Sequence, residues 1–365
     1  MTEPTVSNGS IEELRKVIDA TDAELFGLLE KRAKLARSIG KLKAAGAVYK
    51  PEREREIFER TVARAKTEGT LMSEEAIRSI VREIISACRA VEAMPRVAFL
   101  GPRGTFTEEA VIRQFGSSIK ALPCGSLDEV FHEAASGTAD FAVVPVENST
   151  EGIVTRTADL LLTTPLKVIG EVNVAVHHNL MNRSGKREDI VEVHAHPQAL
   201  AQCRLWLMTH LPQAKLVPSS SNAQAAKEAT ADPKVAALAA ERAAALYELH
   251  IAAHAVEDDP RNCTRFLVLG KESCGKAQNV LHKTSLIFSV PNRAGSLLDA
   301  LAPFAKYKVS MVRLESRPAR NGAWAYNFYV DVDGHIEDEP ISKAVEELGQ
   351  IALYLKILGS YTAAY

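Results

Sequence analysis

From Leu14 to Leu42 apolar residues recur at alternating steps of three and four: Leu14, Ile18, Leu25, Leu28, Leu35, Ile39 and Leu42, with Thr21 and Arg32 filling the two remaining places in the series. Only a helix returns such steps to one face, so the segment reads as one continuous seam interrupted by a cation. Ser10 and Glu13 precede it at the spacing of a capping box, in which each side chain satisfies the other residue's backbone N–H. At 1.5 Å per residue, a helix from Ser10 to about Ala45 is roughly 50 Å long. Pro51 suits the first turn of a second helix that runs to about Thr67, ahead of Gly69. Ser73 can cap a third, whose face carries Ile77, Val81, Ile84, Cys88 and Val91. Companions so short leave apolar surface on the long helix uncovered in a single chain. The expectation is an intertwined homodimer, with further pairing of dimers into tetramers left open.

The periodicity then changes. Residues 96–271 alternate short apolar strands with helices, and residues 283–365 repeat a strand, helix, strand pattern after a polar stretch at 272–279. The last segment reads as strands at 284–290, 309–316, 324–333 and 353–359 with helices at 295–307 and 341–351, the βαββαβ order of a ferredoxin-like domain. A chain of 365 residues has room for two or three domains. The expected organisation is a multidomain chain: an all-α three-helix arm at 1–94, an α/β domain at 96–272 and a ferredoxin-like domain at 282–365.

Composition removes several classes of function. Hydrophobic residues at 46% and charged residues at 25% are ordinary for packed domains and exclude disorder as the main state. Lys plus Arg number 44 against 46 Asp plus Glu, a net charge of −2, whereas a nucleic-acid footprint calls for a basic excess. The five cysteines, at 88, 124, 203, 263 and 274, are scattered without a CxxC pair, which favours a reducing compartment over a disulfide framework or zinc knuckle. No apolar run reaches the ~18 residues of a membrane span, and residues 1–9 lack a signal-peptide core, so a cytoplasmic protein is expected.

Arg32 is the most informative residue of the helical arm. A guanidinium cannot shed its charge, so one in an apolar seam implies an anion that meets it. Lys43 follows eleven residues later, about 20° around the same face, and points into the same pocket. Arg15 lies roughly 100° away and is expected to serve a different cavity, such as one shared with a dimer partner. Arg53 and Glu54 add a cation and an acceptor. Glu92 falls four after Cys88 on the third helix, where a carboxyl beside apolar surface is expected to hold its proton and act as a neutral donor. Cations beside one such carboxyl suit a small dianion whose reaction moves charge onto an oxygen.

The pattern Leu14-Arg15, Glu30-Lys31-Arg32, Lys41-Leu42-Lys43, Pro51-Glu52-Arg53-Glu54 resembles the helical chorismate mutase family, in which a dimer of three-helix chains rearranges chorismate to prephenate. The resemblance implies that Arg15 from the partner chain and Arg32 hold the two carboxylates, while Lys43 and Glu92 donate to the ether oxygen. It further implies that Arg53 and Cys88 line the pocket and Glu54 takes the ring hydroxyl. A unimolecular rearrangement gains only from restraint and from stabilising charge on the breaking C–O bond, so no covalent intermediate is expected. Well-known members carry Gln, Ser and Asp where this chain has Glu92, Cys88 and Lys50.

In the middle segment a strand at 96–100 runs into Gly101-Pro102-Arg103-Gly104-Thr105-Phe106, with a helix expected near Thr107. This glycine turn is neither GxGxxG nor a GKS/GKT loop. An apolar strand from Phe141 delivers Glu147, Asn148 and Ser149 at its C-terminal end, where open α/β sheets place ligands. His194 and His196 share one strand face, but nothing at sensible spacing supplies a third metal ligand, so no metal is expected. Ser219, Ser220, Ser221 and Asn222 precede a helix and can cap it or bind a carboxylate. Together the blocks at 101–106, 144–152, 196–198 and 264–266 resemble the prephenate dehydratase family in sequence and order. That implies two α/β lobes, similar to bilobal periplasmic solute-binding proteins, with the active cleft between them. It also implies loss of CO2 and the ring hydroxyl from prephenate to give phenylpyruvate, without a cofactor. Thr105, Glu147, Asn148, Ser149, His196, Ser221, Thr264, Arg265 and Phe266 are the substrate-binding candidates. By the resemblance Thr264 is the key residue. A threonine hydroxyl is too weak an acid to protonate alone, so it is assigned a positioning hydrogen bond to the leaving hydroxyl. Arg265 is the candidate carboxylate anchor, and Glu147 or His196 the candidate proton source.

Asn292-Arg293-Ala294-Gly295-Ser296-Leu297 and Arg313-Leu314-Glu315-Ser316-Arg317-Pro318 resemble the amino-acid-binding ACT domain. The resemblance implies that Asn292, Gly295, Ser296 and Leu297, with Glu315, Ser316 and Arg317, form a phenylalanine site between paired domains, and that feedback inhibition follows if the inactive state binds the effector more tightly. The whole reads as a bifunctional enzyme of phenylalanine biosynthesis. A ligand sensor with a solute-binding core and a partner-binding helical arm is the second reading, and it leaves Arg32 without a purpose.

Overall fold

The computed structural model describes residues 10–42, 49–318 and 326–364. Three helices come first: α1 (Ile11–Leu42), α2 (Pro51–Glu68) and α3 (Glu74–Glu92). The capping box forms, with the Ser10 N–H donating to Glu13 Oε2 at 2.8 Å and the Glu13 N–H to Ser10 Oγ at 3.3 Å. Ser73 caps α3 by accepting from the Ala76 N–H. α1 packs along α3, yet none of its residues is buried, and the seam residues Leu28 and Leu35 are 65% and 58% exposed.

The first lobe of the middle domain is built from β1 (Arg96–Leu100), α4 (Phe106–Phe115), β2 (Lys120–Cys124), α5 (Leu127–Ser136), β3 (Phe141–Asn148), the short β4 (Gly152–Ile153), α6 (Thr155–Thr163) and β5 (Lys167–Ala175). α4 opens one residue earlier than expected because Thr105 serves as its N-cap, accepting from the Glu108 N–H. The chain then enters a second lobe: β6 (Asn179–Asn182), β7 (Glu192–Ala195), α7 (Pro197–Gln202), α8 (Arg204–His210), β8 (Lys215–Pro218), α9 (Asn222–Ala229), β9 (Val235–Ala239), α10 (Glu241–Tyr247) and β10 (His250–Ala253), with sheet order β10-β6-β9-β7-β8. β11 (Cys263–Gly270) returns to the first lobe and completes the order β2-β1-β3-β11-β5, with β4 on β3. The outgoing strand β5 and the returning β11 are antiparallel neighbours, and the Val176 N–H donates to Asn262 O across the crossing. The two connections between lobes therefore lie side by side.

The last domain runs β12 (His282–Ser289), α11 (Ser296–Lys306), β13 (Met311–Pro318), β14 (Tyr326–Asp333), α12 (Glu339–Ile351) and β15 (Tyr354–Thr362), in sheet order β13-β14-β12-β15. This is the ferredoxin-like arrangement, with Leu286, Phe288, Val330, Phe304 and Leu348 forming a core between the sheet and its helices. The opposite sheet face is not solvated. Ile287, Tyr329, Leu358 and Tyr361 join Leu161, Leu267 and Leu269 of the first lobe in one continuous core. At Gly359 the backbones approach so closely that a Cβ would lie 2.2 Å from the Val168 carbonyl. Lys356 donates to the carbonyls of Leu161, Leu162 and Thr164, closing the C-terminal end of α6 from the other domain.

The helical arm is also anchored. Tyr49 is buried against Phe115 and Phe141, at ring separations of 4.8 and 5.2 Å. Arg89 is buried beneath it, donating to Glu54 and to the Phe115 carbonyl at the end of α4, with its guanidinium 5.1 Å from the Tyr49 ring centre. No helix among the described residues is long and apolar enough to cross a membrane.

Candidate active sites

In the helical arm Arg32 is half-buried, and its guanidinium reaches across to α3, with Nη1 3.4 Å from the Ile84 carbonyl. Cys88 is buried on α3, and Glu92 one turn later lies against Gly40 of α1, where a Cβ would meet its Cγ at 2.4 Å. Arg32 thus meets α3 at Ile84, and Glu92 meets α1 at Gly40 about two turns further along. Arg15 is exposed, and Lys43 lies outside the described residues. Arg53 is exposed and paired with Glu56 at 3.1 Å. Glu54 does not stand free to take a substrate hydroxyl: its carboxylate is gripped by Arg89. Burial pushes the Glu54 carboxyl up, while Arg89 and Arg32 pull it back.

Between the lobes of the middle domain lies an open cleft of about 950 Å³. The loop at 101–105 forms one wall, α7 and the start of α9 another, and Thr264 and Asn148 lie at its base. Asn148 is oriented by its own turn: its Oδ1 accepts from the N–H groups of Thr150 and Glu151, which leaves Nδ2 to donate to Thr264 Oγ1 and Asn262 Oδ1, each at 2.9 Å. With its oxygen lone pair engaged, the Thr264 hydroxyl has its own proton free to donate into the cleft. The chain of polar groups continues from Asn262 Nδ2 to Gln202 Oε1 at 3.1 Å, which also meets His178 Nε2 at 2.9 Å. Burial pushes the His178 imidazole down, so it is neutral, with Nε2 carrying the proton toward Gln202. His178 Nδ1 and Gln202 Nε2 are then buried polar atoms without a protein hydrogen-bond partner among the described residues. His196 caps α7 by accepting the Gln198 N–H on Nδ1 at 3.3 Å, so its neutral form carries a proton on Nε2. The first wall is fixed by Glu108, whose charge burial opposes but the Gly104 N–H and Arg103 restore, holding the carboxyl below its usual range.

Three family models match the chain: chorismate mutase type II over residues 14–93, prephenate dehydratase over 97–274 and the ACT domain over 284–350. A bifunctional chorismate mutase/prephenate dehydratase from Neisseria gonorrhoeae is 44% identical over 362 residues, covering 97% of this chain and 99% of that protein. One from Aquifex aeolicus is 41% identical over 357 residues, covering 97% and 98%. The chain belongs to the bifunctional chorismate mutase/prephenate dehydratase family. The solved structure of a prephenate dehydratase from Arthrobacter aurescens in complex with L-Phe is 36% identical and superposes with a TM-score of 0.68, covering 73% of this chain and 89% of that one.

Within the dehydratase domain the expected residues divide. Thr105, Asn148, His196, Ser221 and Thr264 line the cleft. Ser149 does not; it ties the end of β3 to β11, its Oγ accepting from the Cys263 N–H at 3.0 Å. Phe266 is buried in the core beneath α4. Arg265 cannot anchor a substrate carboxylate in the cleft. Successive strand residues face opposite sides, and its guanidinium points to the ACT domain, donating to Asp331 and Tyr361 there and to Glu171 of β5. Glu147 is no proton source either: a bulge at Val146 sets it opposite Arg265 behind the sheet, 2.8 Å from Arg313. His194 is paired with Glu192 and Glu228, and no group of three His, Cys, Asp or Glu side chains among the described residues could hold a metal. His178 and Gln202 carried no sequence signal, because nothing local sets a histidine after a strand, or a glutamine in a short helix, apart from many others.

In the ACT domain Ser289 of β12 and Arg317 of β13 both lie beside Asn327 of β14, about 10 Å from each other, so the 292–297 turn and the 315–317 block belong to one end of the sheet. Gly295 takes φ 85° to start α11, Leu297 is half-buried, and the Ser296 hydroxyl is buried without a hydrogen-bond partner among the described residues. Asn292 is exposed beside that turn; Glu315 and Arg317 face the dehydratase domain, and Ser316 is exposed.

Proposed function

We propose that chorismate is rearranged between α1 and α3, that prephenate loses CO2 and its ring hydroxyl in the interlobe cleft, and that phenylalanine bound at the 292–297 end of the ACT sheet slows the second reaction. The dehydratase reading is carried by one observation: Asn148, locked by its own turn, donates to Thr264 Oγ1 and leaves the threonine proton directed at the cleft. Aromatisation drives the reaction, so the protein's task is to steady a departing hydroxide equivalent and seat the pyruvyl carboxylate. Thr264 supplies the positioning hydrogen bond. With Glu147 behind the sheet, His196 is the cleft's imidazole donor, and Ser221 and the backbone N–H groups at the start of α9 suit the carboxylate. The unpartnered atoms of His178 and Gln202 support a polar ligand at the same floor.

For the mutase, Arg32 and the partner chain's copy of Arg15 meet the two carboxylates, while Lys43 and Glu92 donate to the ether oxygen. The exposed seam of α1 supports the intertwined homodimer that brings Arg15 into place. The buried, unpartnered Ser296 hydroxyl supports a small polar ligand at the ACT end, and the protein is read as cytoplasmic. Separate assays with chorismate and prephenate test the assignment. Thr264→Ala should lower phenylpyruvate formation by about 100-fold or more while chorismate is still consumed and prephenate accumulates. Arg32→Ala should do the reverse, sparing dehydration of added prephenate. Loss of both activities in a folded Thr264→Ala chain would refute separate sites.

A further inference from the structure

Thr264 faces the cleft, and its neighbour Arg265 faces the ACT domain with a side chain only 14% exposed. There its Nε donates to Glu171 Oε2 at 2.7 Å, Nη1 to Asp331 Oδ2 at 2.6 Å and Nη2 to the Tyr361 hydroxyl at 3.0 Å. Ser285 bonds both Asp331 and the Tyr361 hydroxyl, so Arg265 closes a ring of hydrogen bonds with three ACT strands, β12, β14 and β15. A second tie lies beside it. Glu147, next to Asn148 on β3, pairs with Arg313 of β13 at 2.8 Å and stands 3.9 Å from Arg265. The contact to Arg313 is electrostatic rather than a well-aligned hydrogen bond. Both residues that set the reacting hydroxyl, Thr264 and Asn148, are therefore backed by a neighbour gripped from the ACT sheet. Lys283 of β12 also meets Glu171, at 2.8 Å. The cluster balances: Arg265, Arg313 and Lys283 oppose Glu147, Glu171 and Asp331. Pulling an ACT strand away would separate half-buried and buried charges, so a shift of that sheet carries β11 and β3 with it in preference.

We propose that Arg265 is a positioning residue of the dehydratase, holding Thr264 in place through β11 and passing to it any displacement that phenylalanine causes in the ACT strands. This rests on the cleft and effector sites proposed above. β13 makes the route short, because it carries Arg313 and, two and four residues later, Glu315 and Arg317 at the effector end. An ion cluster with a purely structural role would affect stability alone; a positioning role also alters turnover and the response to the effector.

The test uses the full chain with Asp331→Asn, which keeps the side-chain shape and removes the charge across the interface, and Arg265→Lys, which retains one ion pair. Prephenate kcat and KM are measured with and without phenylalanine, phenylalanine binding is measured by calorimetry, and the mutase rate serves as the control for folding. Asp331→Asn is expected to lower kcat three- to tenfold with KM within twofold. It should bind phenylalanine within threefold of the native chain, yet leave inhibition at saturating phenylalanine partial. Arg265→Lys should fall between the two. Native kcat with native inhibition in Asp331→Asn overturns the proposal, as does a fall in dehydratase rate matched by an equal fall in mutase rate. Thr264→Ala run in parallel separates the two levels: if it still dehydrates prephenate, the cleft reading falls first and the proposal with it.

Discussion

Arg89 shows how much a single side chain can decide in this protein. It is 5% exposed, and its neighbours Glu54, the Phe115 carbonyl and the Tyr49 ring account for it as the junction between the mutase arm and the dehydratase lobe. Arg89→Met should cost about 3–5 kcal/mol, because it leaves the Glu54 carboxylate buried and unpaired. The loss should depend on pH. Burial already pushes Glu54 up, so without Arg89 the folded chain holds that proton while the unfolded chain releases it near the ordinary glutamate value of about 4.3. The folded state then binds more protons than the unfolded one, and stability falls as pH rises. The Tm gap between variant and native chain should widen from pH 5 to pH 8, and an equal gap at both would show that Glu54 is not the unpaired group. Glu92 gives a second residue-scale expectation. As a donor to the ether oxygen it makes the mutase rate fall in Glu92→Ala while dehydration of added prephenate is spared; an unchanged mutase rate removes Glu92 from the ether site.

At the scale of elements, alternation along β11 separates two functions that sequence proximity joined. Thr264 and Arg265 belong to one block, but the strand sends one to the cleft and the other to the ACT sheet. The α-helical elements meet the lobes at closely fitted points. Gly116, following α4, adopts φ 73° and ψ −174°, and a Cβ there would lie 2.4 Å from the Ser86 Cβ of α3. Gly116→Ala should therefore destabilise the docked arm by about 1–3 kcal/mol, through backbone strain and collision together. Limited proteolysis between arm and lobe should accelerate, and unchanged cleavage would mean that α3 shifts without cost. The capping box on α1 is a smaller lever, with Ser10→Ala expected to cost about 1 kcal/mol.

For the whole molecule, the exposed seam of α1 contrasts with the rest of the chain, where each domain has a closed core and shares surface with its neighbour. On the function proposed above, a second copy of the chain covers that seam and also supplies Arg15. Introducing Leu25→Glu and Leu28→Glu together should yield monomers in sedimentation velocity, abolish the mutase and leave dehydration of prephenate largely intact. A dimer that survives both changes would place the interface elsewhere. The ACT domain is packed against the catalytic lobe rather than tethered beside it, with Tyr361 and Tyr329 inside the lobe's core and Gly359 against the Val168 backbone.

The order of the elements, the helical period of the arm, the βαββαβ tail and the identity of the functional blocks were all legible along the chain, because each is written in local spacing: heptad steps, caps, alternation and contiguous motifs. Asn148 and Thr264 stood out as motif members, yet the bond between them spans 116 residues, and the polar floor of His178 and Gln202 exists only where the two interlobe crossings lie side by side. The direction of Arg265 and Glu147 was likewise settled by which sheet packs behind β11. A motif fixes which residues are neighbours along the chain; the face each one presents, and the buried charge that meets it, come from long-range packing.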